Sequence, residues 1–359
     1  MVAFFLYILV VIATCFNAGI YHAPVAKLTS VHTEITKKIG TNGKKELIYD
    51  QTITAQVLNG KWKGESLLIR HKTTESGVMT DRYHKGDHVF LSLDKAASNL
   101  KGQIRGTKRD VYLVALLGAM ILLLIVISNK RGVFTLISVG INTVVYLVGF
   151  GAFMKGGDLL WICNIMAVLF VLGTLFILNG CNKKTLISGL STFAVLIVIM
   201  GLFDILLSVT APIDYSQLEY LEYLGRIGEP DQLFRSEILF AGLGAIMDVA
   251  VTITAALSEV KEKHSQVSFK ELFQSGREVG YDIMGTMISV LFFAFACGLI
   301  PMMLISMNNR VSLLTMFKIN LPTEIIRFLL ESIGIVGAIP ISIVIASFFL
   351  KMKKGGKQI

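Results

Sequence analysis

Residues 110–128 read DVYLVALLGAMILLLIVIS. After Asp110 the run carries no charge, and as a helix it spans about 28 Å, close to the hydrocarbon thickness of a bilayer. A soluble core does not require such a stretch. Six more apolar segments follow, near 133–154, 159–178, 186–210, 236–257, 283–304 and 328–350. Upstream, residues 2–16 (VAFFLYILVVIATCF) reach spanning length only when 17–20 are included. No Lys or Arg precedes that run, and Lys27 is the first, so it lacks the basic start of a secretory signal. An uncleaved anchor is expected. The composition agrees: of 359 residues, 53% are hydrophobic and 16% charged, against about 25% charged in soluble domains. The fold class is therefore an α-helical polytopic membrane protein with about eight transmembrane helices. Residues 1–20 form the anchor, 110–350 a seven-helix membrane domain, and 351–359 a basic tail.

Residues 21–109 differ in character. They are polar, with the turn pairs Asn42-Gly43, Asn59-Gly60, Lys63-Gly64, Ser76-Gly77 and the triplet Lys85-Gly86-Asp87. Between these turns run short alternations, Ile53, Ala55 and Val57 on one face and Val89, Leu91 and Leu93 on another. Period two between glycine turns predicts strands. About five strands in this length predict a small β-rich domain, with an OB-like barrel as its form. The segment holds 16 Lys/Arg against 8 Asp/Glu, so nearly all of the chain's formal +9 lies there. Such a surface suits anionic lipid headgroups or anionic envelope polymers. It contains none of the four cysteines, so no disulfide framework is expected. His84 and His88 are four apart, but Gly86-Asp87 between them marks a turn. Neither a metal site nor a cofactor is expected.

Short loops orient the spans. Lys130-Arg131, Lys183-Lys184, the 258–280 loop and the tail carry most of the loop Lys/Arg on one side, while the 211–235 loop opposite is acidic. The basic side is predicted to be cytoplasmic. Both termini then lie inside and 21–109 lies outside, where nucleic acid is not a partner.

Ionisable groups within hydrocarbon cost about 2.5–3.5 kcal/mol on insertion scales and mark candidate sites. The stretch 240–260, FAGLGAIMDVAVTITAALSEV, with Glu237 just before it, puts Glu237, Gly244, Asp248, Thr252, Ala255 and Glu259 on one helical face. In the next span Asp282, Thr286 and Ser289 share a face, after Ser275-Gly276, which is expected to break the chain. If the two helices are antiparallel neighbours, these faces can meet, with Arg277 or a cation neutralising a carboxylate. Asp248, Asp282, Thr252, Thr286 and Asp204 are the ion- or substrate-binding candidates. Asp204 sits near a helix end, and Glu237 and Glu331 read as interfacial, with Arg327 one turn before Glu331 as its ion-pair partner. Gly242, Gly244 and Gly285 are expected to allow close helix packing.

The stretch GAIMDVAVTITAAL (244–257), followed by SGREVGYDIMGTM (275–287), resembles the signature of the YibE/F family of multi-pass membrane proteins. Thr54-Ala55-Gln56-Val57-Leu58-Asn59-Gly60 and Lys85-Gly86-Asp87 resemble its longer members, which carry a soluble domain after the anchor. Tyr281 departs from the basic or polar residue expected there. The resemblance implies a bacterial plasma-membrane protein, and a hetero-oligomer with a shorter family relative. It implies no biochemical activity.

Three function classes remain. A transporter or permease component would use Asp248 and Asp282 as coupling groups. Without a G-x-x-x-x-G-K-[ST] motif, its energy would come from a gradient or another subunit. A non-transport scaffold or envelope sensor would use the basic domain. An intramembrane aspartyl enzyme needs two carboxylates sharing a proton, yet Ala245 follows Gly242-Leu243-Gly244 where a G-x-G-D motif needs aspartate. No catalytic residue is assigned.

Overall fold

The computed structural model describes residues 2–41, 44–77, 80–96, 99–209, 230–264, 266–319 and 321–351. The Asn42-Gly43 turn, most of the acidic 211–235 loop and the tail beyond Lys351 lie outside them. The chain divides into two compact units, Met1–Gly132 and Val133–Ile359.

In the first unit α1 (Val2–Cys15) is followed by a 3₁₀ turn at Asn17–Ile20. The regular helix is thus shorter than the 1–20 anchor, about 21 Å. It packs on α2 (Asp110–Ser128), where Gly118 leaves room for the ring of Tyr7, whose hydroxyl donates to the Ala115 carbonyl at 3.1 Å. Five antiparallel strands lie between the two helices: β1 (Val25–Thr41), β2 (Lys44–Val57), β3 (Ser66–Thr74), β4 (His88–Ala96) and β5 (Asn99–Thr107). Their order is β3-β2-β1-β4-β5. The sheet curls until Gly102 of β5 meets the Leu67 side chain of β3, which nearly closes a barrel of OB-like order. Its inner face is Ala26, Leu28, Ile53, Ala55, Val57, Leu67, Ile69, Val89 and Leu91, all buried. The alternation at 53–57 and at 89–91 therefore reads the core directly.

Buried polar groups fix the ends of this domain. The Asn59 carboxamide accepts from the Val25 amide at 2.6 Å and donates to the Tyr21 and Ala23 carbonyls, which ties the post-anchor segment to the barrel. Gln51 accepts from the Tyr83 amide and donates to the Tyr83 carbonyl and the Thr33 hydroxyl. Where β5 runs into α2, Lys108 is buried. Its Nζ pairs with Asp110 Oδ1 at 2.9 Å and donates to the Thr14 carbonyl of α1. Asp110 Oδ2 accepts from Asn17 and from the Tyr21 hydroxyl, each at 2.8 Å. The anchor, the barrel and the first span thus meet in one hydrogen-bonded knot. The bond to Asp110 raises the Tyr21 phenol above its ordinary value. Burial, then Lys108 and Lys27, holds the His88 imidazole below its own.

Asn129 takes a positive φ at the turn from α2 into α3 (Lys130–Met154), and a side chain at Gly132 would collide with the Leu124 carbonyl. The second unit continues with α4 (Leu159–Asn179), α5 (Lys183–Val209), α6 (Pro230–Ala241), α7 (Leu243–Lys263), α8 (Phe269–Asn308), α9 (Leu313–Ile319) and α10 (Pro322–Lys351). Among the described residues seven helices, counting α6 and α7 as one, are long and apolar enough to cross a membrane. α5, α7, α8 and α10 pack around a common core with α4 and α6 against it, and Asn142 links α3 to Thr174 of α4 at 2.9 Å.

Small residues set the closest approaches. Gly276 of α8 faces Ile343 of α10 and Leu257 of α7, Gly280 faces Ile339, and Gly334 of α10 faces Ile199 of α5 and Ile246 of α7. The expected break at Ser275-Gly276 does not occur. α8 runs unbroken through it because Gly276 is buried in a helix crossing rather than placed at a turn. Its N-terminus is instead fixed by a capping box between Ser268 and Glu271.

Candidate functional site

On α7 the residues Ile246, Val249, Ala250, Ile253, Thr254 and Leu257 are buried. On the opposite face Gly244, Asp248, Thr252, Ala255 and Glu259 are all exposed. None of the large apolar side chains of α7 is exposed, whereas α2, α3, α4, α5, α8 and α10 each expose several. A span bordering lipid shows apolar side chains to it, so this face is built for water or protein. Among the described residues no hydrogen bond reaches Asp248.

α8 repeats the arrangement. Asp282, Gly285, Thr286 and Ser289 are exposed, with the two hydroxyls donating back to the carbonyls of Ile283 and Gly285. Arg277 stacks over Tyr281 at 5.7 Å on its own helix, which gives Tyr281 a role. The polar faces of α7 and α8 therefore both point away from the core, and the two aspartates are not brought together inside the bundle. Asp204 accepts from Arg235 of α6 at 2.9 Å, a partly exposed ion pair between helix ends. Of the three glycines expected at helix contacts, Gly242 is closely packed, while Gly244 and Gly285 face open space.

A second cluster occupies the interior. Glu331 of α10, read from the sequence as interfacial, is completely buried against the neighbouring helices. Its Cγ lies 3.0 Å from where a side chain on Gly242 would begin, at the one-residue break between α6 and α7. Arg327, its expected partner, is engaged elsewhere: it pairs with Glu237 of α6 and Glu324 of its own helix, and lies 4.5 Å from the Phe295 ring centre of α8. Among the described residues, neither carboxylate oxygen of Glu331 has a hydrogen-bond partner. Side-chain exposure falls from 46% at Glu237 through 26% at Glu324 to 12% at Arg327, and to 0% at Glu331. The cluster is thus a graded path of charge from surface to core.

Hydroxyls form a further layer. Eight residues from the Gly334 contact, toward the end where Lys184 pairs with Glu262, lie Ser191 of α5, Thr254 of α7 and Ser342 of α10. That is about 12 Å deeper. All three are fully buried, with Ser188, Thr192, Ser258 and Ser347 nearby in sequence and also buried. The α5 hydroxyls and Ser258 bond to carbonyls of their own helices. Thr254, Ser342 and Ser347 have no partner among the described residues. Such oxygens can bind a water or a small cation.

Sequence reasoning named Glu331 with the wrong partner and missed the packing glycines and the hydroxyl layer, although signals were present. Gly276-x-x-x-Gly280 is a small-x-x-x-small pattern, Glu331 falls inside the apolar run 328–350, and Ser188, Ser191 and Thr192 recur at helical spacing. What the sequence lacked was the partner helix in each case.

A family model described as YibE/F-like protein matches residues 116–352, and one described as YibE/F family N-terminal domain matches residues 19–107. Neither a curated protein nor a solved structure matches the chain.

Proposed function

The chain belongs to the YibE/F family, and on that premise we propose that it is a transporter or permease component for a small solute or ion. The observation carrying this reading is the exposed face of α7, where Gly244, Asp248, Thr252 and Ala255 replace the apolar side chains that lipid would require. Asp248 near the middle of that face is the binding or proton-exchanging group. Thr252 lies one turn along it. Asp282 and Thr286 supply a second such face on α8, and Asp204 marks the far end of α5.

Both faces point away from the chain's own core, which supports a path completed by a second membrane subunit, either another copy or a shorter family relative. The chain sits in a bacterial plasma membrane. The distribution of Lys and Arg among its loops supports cytoplasmic termini and an extracytoplasmic barrel. The basic surface of that barrel suits anionic headgroups or envelope polymers. On this reading Asp248 and Asp282 act as separate coupling groups on the outward faces of α7 and α8.

A scaffold reading is favoured by the same outward orientation, if a partner helix packs dry against α7. Flux decides between the two. In vesicles holding the folded chain under an imposed proton gradient, a panel of ions and small metabolites is followed for uptake and efflux. Flux that Asp248→Asn abolishes supports transport. Absence of flux across the panel, with and without a coexpressed relative, favours the scaffold.

A further inference from the structure

We propose that Glu331 is a proton-binding site and that its protonation selects the carboxylate with which Arg327 pairs. A buried carboxyl group is stable as the neutral acid or beside a cationic or hydrogen-bonding partner. Here Glu331 is fully enclosed, and neither oxygen has a partner among the described residues. Among the described residues the nearby cation is Arg327, and it is held by Glu237 and Glu324. This arrangement fits the neutral acid.

Among the described residues, the other elements packed here supply no competing charge. Gly242 presents only backbone from the α6–α7 break, and α8 contributes the Phe295 ring. Asp248 of α7 lies on the opposite face of its helix. Asp204 of α5 is bound to Arg235, and Lys318 of α9 is exposed. A guanidinium one turn away disfavours a metal cation while tolerating a proton.

The exchange is a single proton transfer. The O–H bond of the Glu331 acid breaks and the proton leaves along the graded path past Glu324 and Glu237 to solvent. The electron pair stays on the Glu331 carboxylate. That charge draws the Arg327 guanidinium, four residues away on the same helix face, whose Nε has no acceptor among the described residues. Glu237 then loses its partner, and the contact between α6 and α10 loosens. Reprotonation restores it. Gly242 is the position that permits this, since its missing side chain leaves the space occupied by the Glu331 Cγ.

The test is infrared spectroscopy of the full chain in lipid vesicles, titrated in pH, with amide exchange of α6 followed in parallel. It needs no flux, so the proposal stands or falls apart from the transport reading. At neutral pH a protonated-carboxyl band is expected that Glu331→Gln removes and Glu331→Asp shifts without removing. As the band fades on raising pH, α6 amides should lose exchange protection in the wild type. They should stay protected at every pH in Glu331→Gln. If that variant does not fold, the wild-type band and its shift in Glu331→Asp decide. The proposal is overturned by the absence of such a band, by its loss on adding sodium at fixed pH, or by α6 protection that follows pH equally in Glu331→Gln.

Discussion

Replacing Asp110 by alanine probes the knot that joins the anchor, the barrel and the first span. Lys108 is 3% exposed and Asp110 20% exposed. Their contact at 2.9 Å is accompanied by two donors onto the other carboxylate oxygen, from Asn17 and Tyr21. Removing one partner of a buried pair costs about 3–5 kcal/mol, because the other charge is left uncompensated. The residual exposure of Asp110 and the retained bond from Lys108 to the Thr14 carbonyl place Asp110→Ala at the low end, about 3 kcal/mol. Removing both partners together, as in Lys108→Met with Asp110→Ala, should cost about 1 kcal/mol, since no charge remains buried alone. The assay is denaturant unfolding in detergent followed by Trp62, which packs against the barrel core, with Trp161, the only other tryptophan, replaced by phenylalanine. A double-mutant cycle with a coupling of about 2 kcal/mol or more is expected. Single effects that add to within about 0.5 kcal/mol would refute the knot as an energetic unit.

Two further outcomes follow from the packing and the electrostatics. Burial holds the His88 imidazole below its ordinary value in the folded barrel, so the unfolded chain binds a proton there more readily. Barrel stability should therefore be full above the ordinary histidine value of about 6.5 and decline as pH falls below it, and His88→Gln should flatten that part of the profile in the same Trp62 assay. Gly280→Val would put a side chain 2.6 Å from the Ile339 Cγ2. Overpacking of this kind should destabilise the bundle by about 1–3 kcal/mol, while Gly285→Val, facing open space, should change thermal stability by less than about 0.5 kcal/mol.

The spans were legible because hydrocarbon imposes length and polarity on the sequence, and most apolar runs map onto a helix within a few residues, although the run 236–257 is split between α6 and α7 and α8 begins at Phe269, well before the run at 283. The barrel was legible because the alternation at 53–57 and at 89–91 follows the pleat. The α7 face could be read as polar, because 3.6-residue periodicity gathers Gly244, Asp248 and Thr252. Its direction could not be read. A single helix does not say whether its polar stripe turns toward its neighbours or away from them, and here it turns away.

Glu331 and Arg327 show the same limit from the other side. Their spacing in sequence suggests a pair, but Glu237 lies 90 residues from Arg327 and captures the guanidinium through the packing of α6 on α10. Ser275-Gly276 carried an ambiguous signal, since serine and glycine suit both a turn and a close helix crossing. Burial against Ile343 resolved it as a crossing.

The transport reading stands on the α7 face being wet, and a cysteine scan along that helix tests it most directly. With Cys15, Cys163, Cys181 and Cys297 replaced, single cysteines at positions 244 to 257 are challenged by a membrane-impermeant thiol reagent in intact vesicles. Labelling at Gly244, Asp248, Thr252 and Ala255, with Ile246, Val249, Ala250 and Ile253 protected, is the predicted pattern. Protection of all eight positions in folded protein would contradict a water-lined path.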